Sequence, residues 1–409
     1  MKKINILVCP SDYFGVYLHR SKNPHDSLIE LYGDDFTVEF NHEPQWDNLS
    51  YFEKYDIIHI HKGLYPNMEM FWSALRYFKT KNIVTVLDID DHWDVGKDHP
   101  LYASNKFMKI PEKIINNFKL VDYITTTTHI FANKIKKFNP NVIVFPNAID
   151  PRTEQFLPIK EKSNRIRFGF VMGSSHEKDM QQIIGVANRL PQRLLDKIQF
   201  VLCGFDLRGT MTNIDKDGNI TGTRQIQPQE SVWYRYEQIV TDNYKIVSPQ
   251  YKDFLHRFIP MLQYPLVENE VYRRQWTMDT DNYGKHYRNI DVLLVPLTNN
   301  EFNSVKSELK FVEAGFTKTA VIASNFGPYT IESNSMFKKG GEFDETGNCI
   351  LIDENKAHKD WAKYIMKLAD NPELITKLQE NMYNHVKENY DIRKITTKRA
   401  EWYKEIVKK

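Results

Sequence analysis

The chain has 409 residues, more than one hydrophobic core comfortably supports, so two large domains are expected rather than a small binding module. Hydrophobic residues make up 41%, aromatic residues 13% and charged residues 26%, with 22 Tyr and 24 Phe, which excludes disorder and collagen-like repeats. Lys and Arg number 55 against 53 Asp and Glu, and a formal charge of +2 is too balanced for a protein that coats nucleic acid.

Two lysines precede a short apolar run at residues 4–8, which suits a buried strand better than a signal peptide. No run of about 18 apolar residues occurs, so no membrane span is expected and the chain reads as cytoplasmic. Three distant cysteines, Cys9, Cys203 and Cys349, fit buried thiols in a reducing compartment. Residues 37–40, 57–60, 83–87, 123–126 and 142–145 continue the strand pattern, with helical periodicity at 68–78 and 111–118. Strands alternating with helices at this spacing require crossover connections, hence a parallel sheet with helices on both faces. The Pro146 to Pro151 segment breaks the pattern, and the polar run that follows reads as a linker. Alternation then restarts, with strands at 166–172, 198–203, 292–296 and 320–324 and helices at 180–190 and 308–316. A polar, aromatic insertion at about 206–289 interrupts it, with a hairpin turn expected at 215–219 and helices at 233–240 and 251–258. Helices close the chain. The expected domains are 1–160, 161–390 and a terminal helix at 391–409.

Several clusters carry chemistry. Gly173-Ser174-Ser175-His176 sits where a strand meets a helix, a turn whose backbone N–H groups bind phosphate, with His176 and Lys178 as side-chain donors and a tight turn capped by Asp179 as the plain alternative. Lys306, Lys310 and Glu313 are spaced to share one helix face, where two cations would gather around a diphosphate and the carboxylate would take ribose hydroxyls. A solvated Lys–Glu face is the plain reading. Asp88, Asp90 and Asp91, followed by His92, end a strand in a pattern able to hold Mn or Mg, or to cap a turn. His59 and His61 alternate on a strand, as a zinc pair or as cleft lining. Trp233, Tyr234, Tyr236 and Tyr244 would stack on sugars or pack the insertion. Residues 355–409 hold 13 Lys and Arg against 8 Asp and Glu, and Ile392, Ile395, Trp402, Ile406 and Val407 trace a stripe for anionic lipid or for the chain's own core.

Taken together, these residues resemble the large family of retaining glycosyltransferases of the two-domain GT-B type (glycosyltransferase family 4-like), which includes bacterial polysaccharide and lipopolysaccharide transferases. Glu313-Ala314 with Thr319 to Ser324 resembles the family's Glu-Ala helix and following strand, Phe302-Asn303 with Lys306-Ser307 and Lys310 a subgroup pattern, and Asn325 to Tyr329 that subgroup's next loop. Gly15 to Arg20 resembles its first glycine-containing loop, and Val144 to Asp150 its last N-terminal strand and exit. Val305 stands where the family has a glutamate, and Gly173-Ser174 replaces its Gly-Arg pair.

The resemblance implies an α/β fold of two Rossmann-like domains facing a central cleft, with an insertion in the second. It also implies sugar transfer from a nucleoside-diphosphate-sugar to a carbohydrate or glycolipid acceptor with retention, in surface polysaccharide or glycoconjugate synthesis, without metal or other cofactor and without nucleic acid. Lys306, Lys310 and His176 would be catalytic, and Gly173, Ser174, Lys178, Asn303, Ser307 and Glu313 would bind donor. Gly15, Tyr17, Arg20, Asp90, Asp91 and His92 would face acceptor, with peripheral contact at the inner membrane face a further expectation. Competing readings are a metal-dependent transferase using Asp88, Asp90 and Asp91, a non-catalytic carbohydrate-binding protein, and an epimerase of the same architecture.

Overall fold

Strands of continuous Ile, Val and Leu cannot alternate polar and apolar faces, so each must be covered on both sides, which is the condition of a parallel sheet. The computed structural model, which describes residues 2–97, 99, 101–215, 220–331 and 333–408, contains two such sheets. The chain divides into a first unit, Met1–Asp150 with Asn300–Val312 and Glu388–Lys409, and a second, Pro151–Asn299 with Glu313–Lys387.

In the first unit, β1 (Ile4–Cys9), β2 (Phe36–Phe40), β3 (Ile57–His61), β4 (Val84–Ile89), β5 (Tyr123–Thr126) and β6 (Val142–Val144) pair in parallel in the order β2-β1-β3-β4-β5-β6. The order reverses between β1 and β3, so the loops leaving those two strands diverge and leave a crevice at their carboxyl ends. The terminal helix Ile392–Val407 spends its apolar stripe inside this unit: Ala400, Tyr403 and Ile406 pack on Ile6, Val8, Phe36 and Ile57, and Ile392 and Ile395 on Phe145 and Ala148. That burial removes the stripe as a lipid-binding face. Among the described residues no helix is long and apolar enough to cross a membrane.

Arg20 lies at the centre of the unit. Burial opposes the charge of Asp88, but the Arg20 guanidinium, at 2.9 and 2.7 Å from its two oxygens, outweighs burial and holds its carboxyl well below the usual range. Arg20 also donates to the Phe145 carbonyl and to Asn147, and Thr125 donates to Asp88. The pair therefore pins the segment after β1 to β4 and to the turn after β6.

In the second unit, β7 (Ile166–Val171), β8 (Ile198–Phe205), β11 (Tyr272–Trp276), β12 (Val292–Val295), β13 (Ala320–Ser324) and β14 (Ile350–Ile352) form a parallel sheet ordered β11-β8-β7-β12-β13-β14. This is the doubly wound order whose reversal, between β7 and β12, marks the ligand crevice. Gly169 on β7 is small by necessity: a Cβ there would lie 2.4 Å from the Ile290 side chain. The segment read as an insertion also supplies β11, hidden from hydrophobic pattern because Tyr-Arg-Arg-Gln-Trp is an edge strand. Its remainder includes the antiparallel pair β9 (Thr210–Ile214) and β10 (Ile220–Gln225); of the expected turn, residues 216–219 lie outside the described residues. The single helix expected at 180–190 is replaced by the four-residue helix Glu177–Met180 and 3-10 turns at Gln181–Ile183 and Ala187–Arg189, with Gly185 between them at φ +70°.

Arg20→Met should strand the buried Asp88 charge and cost about 3–5 kcal/mol. Urea unfolding followed by a tryptophan of the first unit checks this, and an unchanged midpoint would show the ion pair to be dispensable.

Candidate functional site

In the second unit the turn after β7 is exposed from Gly173 to Ser175, and a Cβ on Gly173 would meet nothing within 4 Å. Tyr236, on the helix Val232–Val240, holds this turn: its hydroxyl accepts from the His176 amide at 2.9 Å and donates to the Gly173 carbonyl at 3.3 Å. His176 Nδ1 lies 2.6 Å from one oxygen of the buried Asp179, whose other oxygen accepts from the Thr298 amide at 2.7 Å. Asp179 thus ties the loop after β7 to the loop after β12, across the point where strand order reverses. The following helix has only four residues, so its dipole adds little, and the groups that the turn presents to solvent are its own backbone and side chains. Lys178 is exposed beside them.

Glu313 differs from expectation. It is fully buried, and its two carboxylate oxygens accept from the hydroxyls of Tyr283 and Tyr287, each at 2.6 Å. Burial and the neighbouring carboxylate push both phenols well above their ordinary range. The carboxylate thus faces two phenols inside the unit rather than an open surface. The i, i+4 spacing of Tyr283 and Tyr287 was the one sequence trace of this arrangement.

Lys306 does not share a helix face with Lys310. Its backbone, at φ −55° and ψ 162°, is extended, and the helix begins only at Leu309. Residues 300–312 belong to the first unit and Glu313 to the second. Lys306 Nζ lies 3.9 Å from Asp91 and 4.9 Å from the centre of the Phe302 ring, while Ser307 accepts from Asn147 at 2.9 Å. Lys310 is half-buried and Asn303 buried, its amide donating to Asn300.

Of the acceptor-side residues in the first unit, Arg20 and His92 are buried and do not line an open surface. Arg20 is spent on Asp88, and His92 Nδ1 engages the Asp94 backbone while its ring stacks on Trp93. Asp88, locked by Arg20, cannot serve in the alternative metal set, and among the described residues no three His, Cys, Asp or Glu side chains group as metal ligands. Gly15 is open, Tyr17 packs on His42 and Phe40, and Asp91 remains partly exposed. His59 and His61 diverge in partners: His59 is buried against His25 and Tyr403 with neither ring nitrogen bonded, whereas His61 meets Ser11 and Asp90. Trp233, Tyr236 and Tyr244 are buried in the core of the second unit, with Tyr234 packed against it, so packing rather than sugar stacking explains that cluster.

No protein-family profile matches the chain, and no curated protein matches it. Solved structures do. The fold is similar to that of a glycosyltransferase from Rickettsia africae (TM-score 0.60, 12% identity, all of both chains covered). It is also similar to Anabaena Alr3699/HepE in complex with UDP (TM-score 0.59, 11% identity, 99% of this chain and 100% of that one). A third similar structure is the catalytic domain of starch synthase IV from Arabidopsis thaliana, bound to ADP and acarbose (TM-score 0.59, 11% identity, all of both chains covered). The fold is therefore that of the GT-B class, two parallel six-stranded α/β sheets.

Glu313→Ala should orphan two buried phenols and cost roughly 1–3 kcal/mol for each. Differential scanning calorimetry reads this directly; a variant that melts like the parent but loses nucleotide affinity would instead assign the carboxylate to a ribose.

Proposed function

We propose that the protein is a glycosyltransferase that moves a sugar from a nucleoside-diphosphate-sugar to a carbohydrate acceptor with retention, in surface polysaccharide or glycoconjugate synthesis. The observation that carries this reading is the Asp179 bridge between the loops after β7 and β12, beside the open Gly173-Ser174-Ser175 turn. A parallel α/β sheet takes its ligand at the carboxyl ends of the two strands that flank its reversal, and exposed glycine and serine suit a pyrophosphate. The nucleoside diphosphates bound by HepE and by starch synthase IV support the same class of ligand.

Breaking the anomeric C–O bond leaves negative charge on the diphosphate, so preformed cations and donors lower the barrier most. His176 and Lys178 serve beside the turn. With no protein nucleophile, the acceptor attacks on the face the diphosphate leaves, and the anomeric configuration is kept. The donor is a co-substrate, and no metal is required.

Isothermal titration with UDP, GDP and ADP should give binding by at least one, unaffected by a chelator and weakened about tenfold or more, about 1.4 kcal/mol, by Asp179→Ala. Silence from all three nucleotides would remove the reading. Once a donor is known, proton NMR of the first product fixes the anomeric configuration, and an inverted product would refute retention.

A further inference from the structure

A buried polar cluster lies under the terminal helix Ile392–Val407 of the first unit, among side chains that the sugar-transfer reading does not use. Arg399 and Tyr403, four residues apart, share the helix face that meets the sheet, and His59 stands on β3. Arg399 and Ser21 are 1% exposed and His59 is 0% exposed. The His25 ring lies 4.8 Å from that of His59 and 6.1 Å from that of Tyr403, so these groups occupy one compact volume. Phe145 joins them to the Arg20–Asp88 pair: Arg20 donates to its carbonyl at 2.8 Å, and the Arg399 guanidinium sits 4.3 Å over its ring.

The hydrogens of the cluster can be assigned. His25 Nδ1 lies 2.7 Å from the Ser21 carbonyl, which only accepts, so Nδ1 carries the hydrogen and Nε2 accepts from the Tyr403 hydroxyl at 3.0 Å. Burial raises the Tyr403 phenol, and a hydrogen bond from Arg399 draws it back. Beyond that chain, Arg399 Nε and Nη1, both ring nitrogens of His59 and Ser21 Oγ find no partner among the described residues. Burial, with His25 and the two guanidinium groups behind it, keeps His59 neutral, so one of its nitrogens is a further N–H donor. Burial likewise pushes His25 down to about 3.

Charge is unbalanced as well. Arg20 and Arg399 are permanently cationic, and Asp88, the carboxylate beside them, is occupied by Arg20 at 2.7 Å. Asp90 is matched by Lys62 at 3.2 Å. Arg399 thus brings one uncompensated positive charge and two free N–H groups out of contact with water, whereas buried charges are found paired. Water would satisfy the donors and leave the charge. The same positive charge repels a metal ion, and both nitrogens of His25 are already committed.

We propose that these donors bind one small monovalent anion, chloride in the simplest case, between the terminal helix and β3, as a structural ligand of the first unit. The anion accepts from Arg399 Nε and Nη1 and from His59, its charge matches that of Arg399, and it ties the last helix of the chain to the middle of the sheet.

Crystals of the full chain grown in sodium bromide are expected to show an anomalous bromine peak within hydrogen-bond range of Arg399 and His59. In calorimetry at equal ionic strength, sodium chloride is expected to raise the melting temperature saturably, by about 2–4 °C, over sodium gluconate, whose anion is too large for a closed site. Arg399→Met, which replaces the buried cation by an apolar side chain, is expected to lose that increment. Ordered water in place of the bromine peak, equal melting in the two salts, or an Arg399→Met variant that keeps the chloride increment each overturns the anion. Should Arg399→Met fail to fold, His59→Leu is expected to weaken the increment, and the bromide peak of the wild type decides by itself.

Discussion

A parallel sheet whose strand order reverses once cannot close that reversal, because the loops on either side are carried to opposite faces. Both sheets of this chain reverse, between β1 and β3 and between β7 and β12. Each reversal is spanned by one short polar chain, Ser11–His61–Asp90 in the first unit and His176–Asp179–Thr298 in the second. The strands around them are largely apolar, so polar groups gather at these crevices, where they find hydrogen-bond partners.

Four carboxylates show how the same side chain acquires different duties. Asp88 is paid off by a bidentate guanidinium and is structural. Glu313 accepts from two phenols, which makes it a hydrogen-bonded anchor of the second unit. Asp179 spans two loops, one oxygen to an imidazole and one to an amide, so it sets loop geometry rather than contacting solvent. Asp90 holds an imidazole tautomer whose other nitrogen reaches an exposed hydroxyl. In each case the partner, and not the carboxylate, defines the role.

The sequence by itself determined the alternation of strands and helices, because strand burial on both faces writes an unbroken apolar run and crossovers write amphipathic helices. Strands at 123–126 and 320–324 were legible to the residue. The resemblance carried by Glu313-Ala314 with Thr319 to Ser324, and by Phe302-Asn303 with Lys306-Ser307 and Lys310, pointed to the fold that the solved structures share. Edge strand β11 was not legible, since its polar Arg273, Arg274 and Gln275 erase the hydrophobic signal, and neither was the break of the 180–190 helix at Gly185. Only the tertiary structure decided which polar groups meet. Ser11, His61 and Asp90 are separated by 50 and 29 residues, and Arg20 lies 68 from Asp88. Local pattern reports which face a residue occupies, whereas a hydrogen bond across a sheet depends on strand order and register, which only the folded chain fixes.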